Sequence, residues 1–176
     1  MEIAVLLVLL IFALLILYIA VTEMANFMQT RVPFVPTSKV DLVDMVQRVG
    51  ITKNDYFYDI GSGNGKVVFA VEELTGARSK GLQRAGWTQM YAKLRKFLTG
   101  SKSEFVSGNF FDHSWQDATV VYGYLYPFLM NQVAEKALAD CQAGTKLVIR
   151  DFPIHSLKYR DSWQTPSDHT MYLYVI

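Results

Sequence analysis

The sequence predicts an α/β domain, a mostly parallel sheet with helices on both faces, preceded by one N-terminal transmembrane helix. Three observations predict it. Strand-like and helix-like apolar patterns take turns along the chain. Alternate glycines follow the first strand, where an open parallel sheet places its ligand crevice. Ile3 to Val21 are 19 consecutive apolar residues.

At about 1.5 Å of rise per residue, that run makes a helix of roughly 28 Å, close to the hydrocarbon thickness of a bilayer. A cleaved signal peptide has a basic leader and an apolar core of only about 7–15 residues. Here only Met1 and Glu2 precede the run, so it reads as a retained anchor. All 17 Lys and Arg lie at or beyond Arg31, and the positive-inside bias puts the body on the cytoplasmic side. Thr22 to Thr30 continues the helix along the interface. Pro33-Phe34-Val35-Pro36 then forces an extended connection, so the chain divides into an anchor with linker, 1–30, and one folded domain, 31–176.

Thr37 or Ser38 caps the next helix, whose Leu42, Met45, Val46 and Val49 recur at i, i+3, i+4, i+7 before Gly50 ends it. Tyr56 to Ile60 reads as a buried strand, Lys66 to Thr75 as a helix closed by Gly76, and Ser79 to Leu82 as a second strand. A helix follows on Trp87, Met90, Tyr91, Leu94 and Leu98. Glu104 to Ser107, Thr119 to Tyr124 and Lys146 to Ile149 supply three more strands, with a helix from about Phe128 to Asp140 before the last; Met171 to Ile176 supplies a final one.

A net charge of +1 gives no broad basic field and argues against a general nucleic-acid binder. Cys141 has no partner for an internal disulfide, and His113, His155 and His169 lack ligand-like spacing, so no metal is expected. Lys93, Arg95, Lys96 and Lys102 make a small basic cluster, either a solvated helix face or a contact with anionic lipid.

The chemistry concentrates in Asp59-Ile60-Gly61-Ser62-Gly63-Asn64-Gly65-Lys66. Glycines there let the backbone turn sharply and approach a ligand at the amide-rich start of a helix. A dinucleotide fingerprint would need glycine at 66, where Lys66 stands; a phosphate-binding loop would need glycine at 60 and a hydroxyl at 67, where Ile60 and Val67 stand. Ser62 also lacks the glycines of a nucleophile elbow. What remains, an acidic residue ending the strand followed by G-x-G-x-G, resembles the first motif of the Rossmann-like class I S-adenosylmethionine (SAM) methyltransferases. The resemblance extends through PFVPT, YDIGSGNGK, GNFF, VVYGYLYP and LVIRDFPI, over most of Pro33 to Pro153. Together these look like one branch: the membrane-anchored protein-lysine methyltransferases related to the enzymes acting on the adenine nucleotide translocase and the ATP synthase c subunit.

That resemblance implies SAM as cofactor, wrapped at its methionine end by Gly61, Ser62, Gly63 and Gly65, with Asp59 accepting hydrogen bonds nearby and Phe34 and Thr37 closing over it. Gln83 stands where the superfamily usually puts a ribose-binding carboxylate; a neutral acceptor there costs on the order of 1 kcal/mol. Asn109 and Phe110 take the adenine side, or else are a turn former and a core residue. Tyr124 and Tyr126, with Tyr122 the weaker candidate, wall a channel for a lysine stem by cation–π attraction, and Asp151 orients its amine. The expected partner is therefore a protein substrate with an accessible lysine, membrane-associated, and no nucleic acid; the Asn/Asp-Pro-Pro-aromatic signature of nucleic-acid amino methyltransferases is missing. Two alternatives remain: methyl transfer to a lipid, quinone or other small apolar molecule, and a SAM-binding scaffold without turnover.

Overall fold

The computed structural model describes residues 2–30, 37–84 and 86–176. The Pro33–Pro36 connection and Phe34 lie outside these. An apolar helix α1 (Glu2–Thr30) is followed by α2 (Lys39–Val49), β1 (Tyr56–Ile60), α3 (Lys66–Thr75), β2 (Arg78–Gln83), α4 (Trp87–Thr99), β3 (Glu104–Ser107), β4 (Val120–Gly123), α5 (Met130–Asp140), β5 (Lys146–Arg150), β6 (Asp161–Gln164) and β7 (Thr170–Val175). Short 3₁₀ turns at Phe110–Asp112 and Pro127–Leu129 interrupt the alternation.

The strands form one seven-stranded sheet in the order β3-β2-β1-β4-β5-β7-β6, parallel from β3 through β5, with β7 antiparallel to both β5 and β6. Every residue of β1 is buried because it lies between β2 and β4 with both faces covered, which is why its residues are apolar or aromatic apart from Asp59. On one face Leu42, Met45 and Val46 of α2 and Val67 and Val71 of α3 pack on Phe57, Val120, Tyr122 and Val148. On the other, Val133, Ala134 and Ala137 of α5 pack on Tyr58, Ile60, Val121 and Leu147. Each fully buried Leu, Val or Met contributes about 1.5–3 kcal/mol. Helices therefore do lie on both faces.

Ser38, and not Thr37, caps α2: its hydroxyl accepts from the Asp41 N–H at 3.2 Å. Ala in its place would cost about 1 kcal/mol. Thr37 is left to reach elsewhere. The strand expected over Thr119–Tyr124 is confined to Val120–Gly123, and the helix expected from Phe128 begins at Met130 after the 3₁₀ turn. The sequence reading missed β6 altogether. This edge strand (Asp-Ser-Trp-Gln) buries only Trp163, so it carries no apolar alternation; Trp163 is fixed by its Nε1–H donating to Asp44 Oδ2 at 2.7 Å.

Two helices behave unlike core helices. Ile3–Val21 of α1 is long and apolar enough to cross a membrane, and α1 touches the body at α4. In α4 itself the periodic apolar residues Met90, Tyr91, Leu94 and Leu98 point outward, whereas Thr88, Gln89 and Ala92 face the sheet. The helix is where the periodicity puts it, but turned the other way.

Candidate cofactor and acceptor site

β1 delivers the chain to a turn that is bonded almost wholly to its own neighbours. The Gly61 and Ser62 N–H groups both donate to the Leu82 carbonyl at the end of β2, at 2.8 and 3.2 Å. Gly63 N–H donates to Gln83 Oε1 at 3.2 Å, and Gly65 N–H returns to the Ser62 carbonyl at 2.8 Å. Gly65 opens α3 at φ +76°, and a Cβ there would lie 2.5 Å from the Phe105 ring, so both the conformation and the space require glycine. Below the turn, a Cβ on Gly81 would meet Ser62 Oγ at 2.6 Å. Thus the backbone of 61–65 sits tightly on β2 and β3 while Gly61 stays exposed on top.

Asp59 lies beneath this turn, 3% exposed, and none of the described residues hydrogen-bonds its side chain. Burial alone pushes its pKa up to about 8. A carboxylate kept in that condition is a ready partner for a cation brought from outside. Its register neighbour on β4 is Tyr122, whose hydroxyl is 3.1 Å from Thr37 Oγ1; burial raises that phenol's pKa as well. Thr37, freed from capping, therefore closes over the β4 side of the site.

The ends of β4 and β5 bring a second group together. Arg150, 2% exposed, is 3.2 Å through Nη2 from Asp41 Oδ2, and its guanidinium lies 4.8 Å over the Tyr124 ring. Its Nε and Nη1 are buried without a hydrogen-bond partner. Burial works to raise the Asp41 pKa, but hydrogen bonds from Ser38, Ser167 and Thr165 outweigh it and hold the carboxyl low. Asp151 stands in a left-handed conformation, φ +64°, with Oδ1 accepting from the Thr170 N–H at 3.1 Å and Oδ2 2.9 Å from His169 Nδ1. Burial first, then Asp151, raises the Tyr124 phenol. Tyr126 stacks on Phe152 with ring centroids 6.5 Å apart and lies 5.9 Å from Phe128.

The expected residues thus fall into two neighbouring sets. Asp59, Gly61, Ser62, Gly63, Gly65 and Gln83 form one piece, and Gly108 N–H donates to the Gln83 carbonyl at 3.0 Å, which hangs Asn109 beside it. Asn109 caps the 3₁₀ turn, accepting from Phe111 N–H, and Phe110 packs on Phe111 and Trp115 at the edge of the core. Tyr124, Tyr126 and Asp151 form the second set. Sequence reasoning missed Arg150, Asp41 and His169. Arg150 and Asp41 are 109 residues apart, and only the sheet brings them together. A separate hollow of about 540 Å³ is lined by Tyr58, Lys80, Leu82, Val106 and Asp117 among others, on the face of the sheet that also carries α5. By strand alternation it is on the far side of the sheet from Asp59.

SAM fits the first set. Asp59, which no described residue hydrogen-bonds, would hold the cofactor's ammonium, the amide-rich head of α3 its carboxylate, and Gln83 and Asn109 would offer hydrogen-bonding groups to its nucleoside. When bound it supplies an electrophilic methyl group; the chain's own residues align the acceptor and exclude water.

Comparison with known proteins agrees with this geometry. An RNA methyltransferase from Salinibacter ruber in complex with S-adenosyl-L-homocysteine superposes with a TM-score of 0.76 at 26% identity, covering 81% of this chain and 94% of that one. A SAM-dependent methyltransferase from Geobacter sulfurreducens, also with S-adenosyl-L-homocysteine, shares the fold at 17% identity and a TM-score of 0.55, covering 62% of this chain and 47% of its own. A protein-lysine N-methyltransferase of Saccharolobus islandicus (strain REY15A) is 26% identical over 157 residues, 83% of this chain and 94% of the relative. The family described as "ANTKMT methyltransferase domain" matches residues 59–161, from the acidic end of β1 to the start of β6. The chain belongs to that family of class I methyltransferases.

Proposed function

We propose that this protein is a SAM-dependent protein-lysine N-methyltransferase, held to a membrane by residues 1–30, with residues 31–176 as the catalytic body on the cytoplasmic or other SAM-containing side. One observation carries the reading: a bare turn, Gly61 to Gly65, stands over the buried, unpartnered carboxylate of Asp59, beside an aromatic and acidic wall from β4 and β5. Gly61 to Gly65 hold the methionine end of the cofactor, and Gln83, Asn109 and Phe110 its nucleoside. Tyr124 and Tyr126 line the path of a lysine stem. Lysine has a reference pKa near 10.4 and must lose its proton to attack. Asp151 is already engaged by Thr170 and His169, so its part is to orient the amine through that pair. The lysine acceptor is supported by the Saccharolobus islandicus relative.

A second reading, transfer to RNA, is favoured by the equal likeness to the Salinibacter ruber enzyme. The net charge of +1 speaks against it, because RNA affinity rests on neutralised phosphates. Incubating membranes that contain the full chain with methyl-labelled SAM separates the acceptors. Label in trimmed peptides as methyl-lysine supports the first reading; ribonuclease-sensitive label supports the second. Label in the organic extract points to a lipid or quinone acceptor, and no label anywhere leaves a scaffold without turnover.

A further inference from the structure

α4 is built inside out. Met90, Tyr91, Leu94, Phe97 and Leu98 recur at i, i+1, i+4, i+7, i+8 and share one helical face, yet all five are exposed, Phe97 by 83% and Leu98 by 72%. The residues turned to the sheet are Thr88, Gln89 and Ala92, with Gln89 Oε1 accepting from Ser107 Oγ at 2.6 Å. A helix on a water-facing surface has the opposite arrangement. Exposed contiguous apolar surface of this kind marks a partner or a lipid phase.

Two features say which. The helix carries no acidic residue, and by helical spacing Lys93 and Arg95 flank its apolar face on either side, which suits an anionic headgroup layer. α4 is also an element that α1 touches, and from Ile3 to Val21 the one half-buried residue is Ile19, near the end of the apolar run where the chain would leave the bilayer. The contact between α1 and α4 keeps α4 beside the helix that is apolar enough to cross a membrane.

We propose that the Met90–Leu98 face of α4 lies in the headgroup–acyl boundary of an anionic bilayer, the same one that α1 crosses. The proposal rests on the anchor reading above. Its consequence follows from connectivity: α4 begins four residues after Gln83, so docking α4 holds the cofactor turn at a fixed height over the membrane. The acceptors selected are lysines in protein segments next to the bilayer surface.

The test uses the full chain with Cys141→Ala, carrying an environment-sensitive fluorophore at Phe97→Cys or, as control, at Leu138→Cys. Leu138 is exposed on α5, across the sheet from α4. Both variants must keep the wild-type thermal shift with S-adenosylhomocysteine, which certifies the fold. They are reconstituted in vesicles of phosphatidylcholine and phosphatidylglycerol, with or without lipid bearing a spin label high on the acyl chain. Flotation with the vesicles reads the anchor; fluorescence reads α4. The expected result is flotation, blue-shifted emission at position 97 quenched severalfold by the spin-labelled lipid, and water-like, unquenched emission at 138. Flotation with water-like emission at both positions overturns the docking and leaves the anchor standing. A blue-shifted but unquenched label at 97 also overturns it, because the face is then covered by protein, such as a second copy. Failure to float removes the anchor reading and this proposal with it.

Discussion

Gln83 Oε1 accepts a hydrogen bond from the Gly63 N–H at 3.2 Å, so the side chain at the end of β2 fixes the middle of the glycine turn. A carboxylate at 83 keeps that acceptor and adds a charge for the ribose hydroxyls. Gln83→Glu is expected to tighten S-adenosylhomocysteine by about fivefold, the equivalent of roughly 1 kcal/mol for a charge-assisted bond in place of a neutral one. Equilibrium titration of the two proteins checks it, and weaker binding by the variant removes Gln83 from the ribose contact.

Gly63 itself has φ +52°, a conformation that costs a β-branched residue roughly 1–2 kcal/mol, and valine would also place two methyl groups in the turn. Gly63→Val is expected to lose cofactor binding while the sheet stays folded. A ligand at 100 times its dissociation constant adds about 2.7 kcal/mol of stability, so the thermal shift seen in the wild type should vanish in the variant while circular dichroism is retained.

Asp59 gives a pH dependence opposite to that of most carboxylates. Its pKa is about 8 in the folded protein against 3.8 as the reference. Between those values the folded chain holds a proton that the unfolded chain has released, so stability without cofactor falls as pH rises from about 4 to about 8, then levels. Cofactor binding runs the other way. An ammonium needs the ionised carboxylate, so affinity for S-adenosylhomocysteine should rise with pH by up to about tenfold per unit until pH 8. Asp59→Asn should flatten both profiles and weaken binding near and above pH 8, where the wild-type carboxylate is ionised, with the two proteins converging at acid pH; a binding profile that is already flat in the wild type contradicts the assignment.

Arg150 and Asp41 are both almost fully buried. Asp41→Ala removes the nearer of the guanidinium's two carboxylates, leaving only Asp151 Oδ2 at 3.9 Å from Nε, and should cost up to about 3–5 kcal/mol of stability in denaturant titration. Replacing both, as Asp41→Ala with Arg150→Met, should recover part of that loss. A double variant no more stable than the single one would mean that the pair holds α2 against β5 by more than charge compensation.

Strong local signals explain what could be seen without the fold. β1 and α3 fall where the Tyr-Phe-Tyr-Asp-Ile run and the Gly65 to Gly76 interval put them, because a buried central strand and its following helix are specified by their own residues. Asp59, the glycine turn and Gln83 are close in sequence or joined by one register, Asp59 to Gly81, and so were legible too. The acceptor side was not. Arg150 and Asp41 meet only when α2 packs on the sheet, His169 reaches Asp151 only once β7 pairs with β5, and β6 is an edge strand with a single buried residue. The outward face of α4 was also hidden, because periodicity shows that a helix has an apolar side but not which phase that side meets.

The most direct measurement is a calorimetric titration of the full chain, in a lipid nanodisc at pH 8, with S-adenosylhomocysteine, run beside Gly63→Val and Asp59→Asn. The expected outcome is one site per chain in the wild type, lost in the first variant and weakened in the second. An absence of heat in the wild type at millimolar ligand, or equal affinity in all three proteins, would contradict a cofactor seated on the 61–65 turn above Asp59.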